Sequence, residues 1–263
     1  QLLRRHRYDV VHSHLAYFSG FVLRSAARAG VPIRVAHNHM TGDLVEAPGF
    51  LRPLYRYWMR RWIDKYCTHF VAVTSASLQS FWGLGWQTDS KKRVLNLGIS
   101  LERFRQVGDR AAVRAELGLP ADARLVLNVG RFIPSKRQAL LVDVAGQIAA
   151  RRRDVYFVLI GTGPLQAEVE RAANTAGLSD IVRFVPAQPG IERFWLTADA
   201  FAFPSVSEGL PIVIIEAAAA GLPIVAYDIP GVREAAAASS SATLLPLDAT
   251  TGDWASAIFD ALA

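Results

Sequence analysis

Short runs of β-branched and aromatic residues alternate with helical patterns along almost the whole chain, and this rhythm leaves few folds open. In the first half, residues 8–12, 33–37, 69–74 and 93–97 read as strands, separated by helical patterns over 17–29, 51–66 and 75–82. The second half repeats it with strands expected at 124–129, 155–160, 181–184, 200–203 and 224–227. Helices are expected there over 137–150, 165–176, 191–196, 211–220 and 232–238. Strands that alternate with helices form βαβ units and parallel sheets, so the fold class is α/β with doubly wound sheets. At 263 residues the chain is long enough for two such domains. The join is expected in 109–122, which carries a short helix and a Gly118-Leu119-Pro120 turn, giving domains at 1–108 and 109–263.

A doubly wound sheet binds ligands at the carboxyl ends of its strands. The chain's conspicuous polar residues fall at those ends: His12-Ser13-His14, His37-Asn38-His39, Gly130-Arg131, Gly161-Thr162-Gly163, and Glu208 just beyond Phe203-Pro204. The stretch from Pro204 to Ala217 places two carboxylates eight residues apart. Glu208 lies in a Ser/Gly/Pro turn, and Glu216 lies in an apolar run that Gly221 and Pro223 close in the manner of a helix C-terminus. A carboxylate in so apolar a helix needs a ligand or a bonding group. The competing reading makes Ile212 to Ile215 a buried strand with Glu216 at its exposed end.

Arg131 and Lys136 bracket a βα turn that begins at Gly130. Glycine permits close backbone approach, arginine grips an anion with two donors and lysine adds a point charge, so the turn suits a diphosphate. Two solvated loop cations would give the same pattern. Gly161 and Gly163 make a second tight turn, but Gln166 occupies the position where a dinucleotide fingerprint needs its third glycine. The pairs His12/His14 and His37/His39 have the spacing that puts two residues on one face of a strand. With no cysteine cluster or HExxH to complete a ligand set, no metal is expected.

Charge is unevenly spread. Residues 1–105 hold 16 Lys/Arg against 6 Asp/Glu, and the remainder 13 against 17. A basic first half suits an anionic partner. Nucleic-acid binding would rest on that charge alone, and none is expected. In 51–66, Arg52, Arg56, Arg60 and Arg61 are interleaved with Leu51, Tyr55, Trp58 and Trp62. The pattern fits either a helix lying on an anionic membrane surface or an aromatic stripe packed in the core beneath a solvated basic face. No apolar run reaches membrane-spanning length, and the single cysteine, Cys67, leaves no internal disulfide and favours a reducing compartment. The chain lacks an initiating Met, and its first strand signal arrives within ten residues, which suggests a fragment.

Taken together, these stretches resemble the retaining GT-B glycosyltransferases of family 4. Glu208 and Glu216 match the E-x7-E signature, Gly130-Arg131 with Lys136 the G-R-x4-K turn, and Gly161 to Pro164 the G-x-G-P turn. Asn96-Leu97-Gly98-Ile99 with Phe104 is similar to the N-G-I/V-x3-F segment, with Leu97 as an extra residue. The histidine segments look most like those of exopolysaccharide-type members.

The resemblance implies two Rossmann-like domains facing across a cleft, with an incomplete N-terminal, acceptor-side domain. It further implies transfer of a hexose from a nucleotide-sugar donor, with UDP the expected nucleotide, to a lipid-linked or polysaccharide acceptor. Retention of configuration, no cofactor, no required metal, and a cytoplasmic location peripheral to the plasma membrane go with it. Arg131 and Lys136 would neutralise the diphosphate, and Glu208 would contact the donor sugar with the backbone N–H groups of Gly209 and Leu210. Glu216 would hold the ribose hydroxyls, and one of His37 and His39 would reach the reacting sugar. Gly130, Gly161 and Gly163 would complete the donor site. A non-catalytic nucleotide-sugar module and a sugar-nucleotide epimerase are the alternatives.

Overall fold

A computed structural model describes residues 2–41, 51–106 and 108–263. The chain divides into two compact units, one of Gln1–Leu97 with Glu208–Leu210 and the other of Gly98–Ser207 with Pro211–Ala263.

The first unit holds one sheet of four parallel strands in the order β1-β2-β3-β4: β1 Val10–Ser13, β2 Ile33–Asn38, β3 His69–Ala72 and β4 Lys92–Val94. Its helices are α1 Leu2–His6, α2 Ser19–Arg28, α3 Arg52–Tyr66 and α4 Ser75–Trp82. Helix α4 starts where the sequence demands, because the Thr74 side chain accepts a hydrogen bond from the Ser77 backbone N–H. Leu23 of α2, Ile63 of α3, Phe70 and Ala72 of β3, and Leu78 and Phe81 of α4 close the core, with Cys67 inside it.

Helix α3 does not follow the core-stripe alternative. Its buried residues are Met59 and Ile63, whereas Leu51, Tyr55 and Trp58 are exposed. The aromatic stripe therefore does not pack in the core. The helix turns its aliphatic edge inward, and two of its arginines lie over rings, Arg56 over Tyr17 and Arg60 over Trp82. None of the described helices is long and apolar enough to cross a membrane.

The second unit is a six-stranded parallel sheet built from β5 Arg124–Val129, β6 Val155–Ile160, β7 Val182–Val185, β8 Ala200–Phe203, β9 Ile224–Tyr227 and β10 Ala242–Leu245. Its spatial order is β10-β9-β8-β5-β6-β7. Counted within this unit and read from the other edge, that is 3-2-1-4-5-6, the doubly wound Rossmann order, whose strand sequence reverses between β5 and β8. Helices α5 Arg110–Glu116, α6 Gln138–Ala149, α7 Gln166–Thr175, α8 Glu192–Trp195, α9 Ile212–Ala219, α10 Pro230–Ala236 and α11 Thr251–Ala261 accompany it.

Residues 98–106 belong to this unit, so the division falls before the junction expected at 108/109. The reason is local: the guanidinium of Arg103 donates to the Glu192 carboxylate at 2.9 Å and ties that segment to α8. Strand β10 and helix α11 were not expected. The first is a half-exposed edge strand with little alternation, and the second is announced by a capping box between Thr250 and Asp253.

At the amino end of the β5–β8 pair, the Asp199 carboxylate accepts from Arg114 at 3.0 Å, Arg110 at 2.8 Å, Arg124 at 3.3 Å and the backbone N–H of Leu125 at 2.8 Å. Arg114 is 1% exposed, and its remaining donors reach the carbonyls of Ala123, Thr197 and Arg110. Both buried charges are thereby satisfied, and the pair of strands is pinned at the end opposite to the Gly130 and Pro204 loops.

Candidate functional site

In the second unit, the reversal point between β5 and β8 is where the expected anion-binding residues gather. Strand β5 runs into Gly130-Arg131 and β8 into Pro204-Ser205, and the two loops are laced together. The backbone carbonyl of Ser135 accepts from the Ser205 hydroxyl at 3.1 Å and from the Val206 N–H at 2.9 Å. Lys136 lies with Nζ 5.0 Å from the centre of the Phe203 ring, the last residue of β8. Arg131 is exposed at the mouth, while Gln138 of α6 donates to the Arg131 carbonyl at 2.9 Å and holds the turn from below. Arg137 adopts the left-handed backbone region (φ 49°, ψ 37°), uncommon outside glycine, and its guanidinium reaches the Tyr227 hydroxyl at 3.2 Å.

The Gly161-Thr162-Gly163 turn is the floor of the same loop rather than a separate feature. A Cβ on Gly161 would fall 1.9 Å from the Gly130 carbonyl oxygen, and one on Gly163 would fall 2.4 Å from that of Phe132. Glycine is demanded at both positions by backbone packing against backbone. Hydrogen bonds from the Phe132 N–H to the Thr162 carbonyl and from the Leu165 N–H to the Phe132 carbonyl, 3.0 and 3.1 Å, complete the contact. Above the turns lies a cavity of about 240 Å³, with Gly130, Arg131, Gly161 and Thr162 on one side and Ala187, Gln188 and Ile191 on the other.

Glu216 sits inside α9, as the helical reading required and the strand alternative did not. Pro211 is the residue before the helix rather than in its first turn. Burial raises the Glu216 pKa, a nearby Glu192 raises it further and Arg103 opposes both. Its carboxylate is half-buried, and a hydroxyl donor would relieve its desolvation.

The first unit carries the histidines. In a parallel pair, partners in register point to the same face, and alternate residues share a face. His12 pairs with Val35, so His12, His14, His37 and His39 all project from one side of β1 and β2 at their carboxyl ends. The His12 and His37 rings are stacked with centroids 5.3 Å apart, and Nδ1 of His14 lies 2.7 Å from Nε2 of His39. His37 is 5% exposed, and neither of its ring nitrogens has a hydrogen-bond partner. Burial, with the neighbouring His39, His14 and His12 adding to it, lowers its pKa to about 4, so it is neutral at physiological pH. Burial lowers His12 and His39 as well.

Of the residues singled out in the sequence, Gly130, Arg131, Lys136, Gly161, Gly163 and Glu216 thus belong to the second unit and His37 and His39 to the first. Glu208, Gly209 and Leu210 group with the first. Ser135, Gln138 and Ser205, whose hydrogen bonds hold the Gly130-to-Lys136 turn in shape, escaped sequence reasoning. Their only signal was proximity to a charged motif.

Residues 109–262 match the family described as Glycosyl transferases group 1. The chain belongs to that family. Residues 1–103 of this group 1 chain match Glycosyltransferase Family 4. It is 32% identical over 222 residues to a protein named glycosyltransferase EpsF from Bacillus subtilis, covering 84% of this chain and 58% of that one. It is also 32% identical over 267 residues to D-inositol 3-phosphate glycosyltransferase 2 of Catenulispora acidiphila, covering 95% and 62%. The chain thus spans about three fifths of these relatives' length.

Among solved structures, Anabaena Alr3699/HepE in complex with UDP superposes with a TM-score of 0.80 at 21% identity, over 97% of this chain and 69% of that one. Sucrose-phosphate synthase from Thermosynechococcus elongatus gives 0.79 at 24% identity, over 99% and 66%. At such identities the likeness concerns the fold: the two parallel α/β units are those of the GT-B glycosyltransferases.

Proposed function

We propose that this chain binds the nucleotide-sugar donor, a UDP-sugar, of a retaining hexosyltransferase that extends a lipid-linked or polysaccharide acceptor in cell-surface glycan synthesis. The observation that carries the reading is the laced pair of loops at the β5–β8 reversal point, which holds Arg131 and Lys136 beside a cavity floored by glycine backbone. Two cations over N–H-rich turns suit a diphosphate, and they stabilise charge as it grows on a leaving group. The half-buried Glu216 suits the ribose hydroxyls. Glu208, with the backbone N–H groups of Gly209 and Leu210, is assigned to the donor sugar, and one of His37 and His39 to the reacting sugar. The HepE neighbour was solved with UDP and with UDP-glucose, which favours UDP as the nucleotide.

The work assigned to these residues is positioning and charge stabilisation, and neither Glu208 nor Glu216 has to move a proton. Removing one such charge costs on the order of 3–4 kcal/mol in the transition state, about a hundred- to a thousandfold in rate. Sugar transfer by the full-length protein should therefore fall by about that factor in Lys136→Ala and in Glu208→Gln. Unchanged turnover in both variants would remove the assignment, and donor binding without transfer in the unaltered protein would leave a non-catalytic module. We also assign α3, with exposed Tyr55, Tyr57 and Trp58 among Arg52, Arg56, Arg60 and Arg61, to an anionic membrane surface facing the cytoplasm.

A further inference from the structure

We propose that His12, His14 and His37 form a binding site for a divalent transition metal of the imidazole-binding kind, with zinc the best fit. Spacing alone left each histidine pair without a third ligand, and the register of β1 and β2 supplies it from the neighbouring strand. One ligand nitrogen from each of the three lies within 4.8 Å of the others. Two nitrogens on one tetrahedral zinc stand about 3.4 Å apart, given zinc–nitrogen bonds of about 2.05 Å, so closing the set takes an approach of up to about 1.4 Å and a turn of the stacked His12 and His37 rings that aims their in-plane lone pairs at the ion.

A second observation, independent of spacing, points to a ligand. His37 is buried, both of its nitrogens lack partners, and it stands against the two exposed rings of His12 and His14. A buried polar group without a partner is costly, and a metal bond would relieve that cost. His39 completes the arrangement. If Nδ1–H of His14 donates to Nε2 of His39 across their 2.7 Å contact, the lone pair on Nε2 of His14 is free for the metal. Metal-bound histidines commonly donate their other ring N–H to such a partner. Three imidazole nitrogens with a fourth position open to water form a borderline donor set that favours zinc, cobalt, nickel or copper over magnesium or calcium. Exposure of His12 and His14 gives the ion its way in.

The metal site engages His37 and His39, one of which the transferase reading places at the reacting sugar, so the test reads metal rather than sugar transfer and its outcome stands apart from that reading. The tag-free chain, stripped with a chelator and exchanged into metal-free buffer, is titrated with cobalt(II) and, by calorimetry, with zinc(II). One equivalent is expected, with the intense visible bands of four-coordinate cobalt, and zinc should displace the cobalt. His12→Gln and His14→Gln, both at exposed positions and checked for native circular dichroism, should each weaken zinc binding at least tenfold. His39→Gln should weaken it about tenfold through the lost hydrogen bond. Zinc affinity unchanged in the His12→Gln/His14→Gln double variant would place the metal away from this cluster and overturn the proposal. So would substoichiometric binding, or a cobalt spectrum that stays six-coordinate.

Discussion

Single residues decide where this chain tolerates change. Asp199 pairs with three arginines, one of them fully buried, so Asp199→Ala would leave the Arg114 charge inside the second unit without its carboxylate partner. Losses of this kind cost about 3–5 kcal/mol, and a fall of that size in the urea-unfolding free energy is expected. His37 carries the opposite sensitivity. Its folded pKa of about 4 lies below the unfolded value of about 6.5, so the unfolded chain binds the proton first. The stability it contributes is complete above pH 6.5 and is lost as the pH falls through 4, to a total of about 3 kcal/mol. In chelator-treated protein, urea midpoints should decline across that window, and His37→Gln should flatten the decline. Of these two residues the sequence hinted only at His37, through its spacing from His39. Asp199 looked like any polar residue before a strand, because an ion-pair network between residues 75 to 89 positions apart has no local pattern.

At the scale of elements, periodicity was a good guide for most elements with a buried face, α11 with its buried Trp254 and Ile258 being an exception. Strands β5, β6, β8 and β9 lie where their apolar runs put them, and α9 is a helix despite four consecutive β-branched residues, because Gly221 and Pro223 punctuate it. Strand β10 was illegible because it is half-exposed at an edge, where burial imposes no pattern. Helix α3 was legible as a helix but not in its orientation, since aromatic and aliphatic stripes both ran along it and only packing could choose between them. Its outward aromatics and arginines lead to a measurable expectation. Arg52→Gln/Arg61→Gln, which leaves the ring contacts of Arg56 and Arg60 in place, removes two charges worth about 1 kcal/mol each near anionic lipid. Binding to phosphatidylserine-containing vesicles should drop about thirtyfold in a sedimentation assay, and raised salt should weaken the unaltered protein similarly. Equal partitioning of both proteins would remove α3 from the membrane.

Across the whole molecule, the two parallel sheets and the position of the Gly130-to-Lys136 turn after β5 could be read from the sequence, whereas the lacing of Ser135 to Ser205 and the clustering of four histidines could not. Both of the latter depend on strand order and register, which are set by packing of the entire sheet. Two units with separate cores need not unfold together, and a ligand stabilises the one that holds it. UDP at a hundred times its dissociation constant should add about 2.7 kcal/mol and move one calorimetric transition upward. If neither transition moves with any nucleotide, the donor site is misplaced. Cys67 adds a practical consequence. It is the chain's sole cysteine, it lies 5% exposed in the first core, and burial pushes its thiol up to about 11. The thiolate is the nucleophile that attacks alkylating reagents, so a buried thiol with a raised pKa leaves the native background silent. A cysteine introduced at any exposed position can then carry a spin label or fluorophore alone, and the molecule is ready for spectroscopic distance rulers without first losing a core residue.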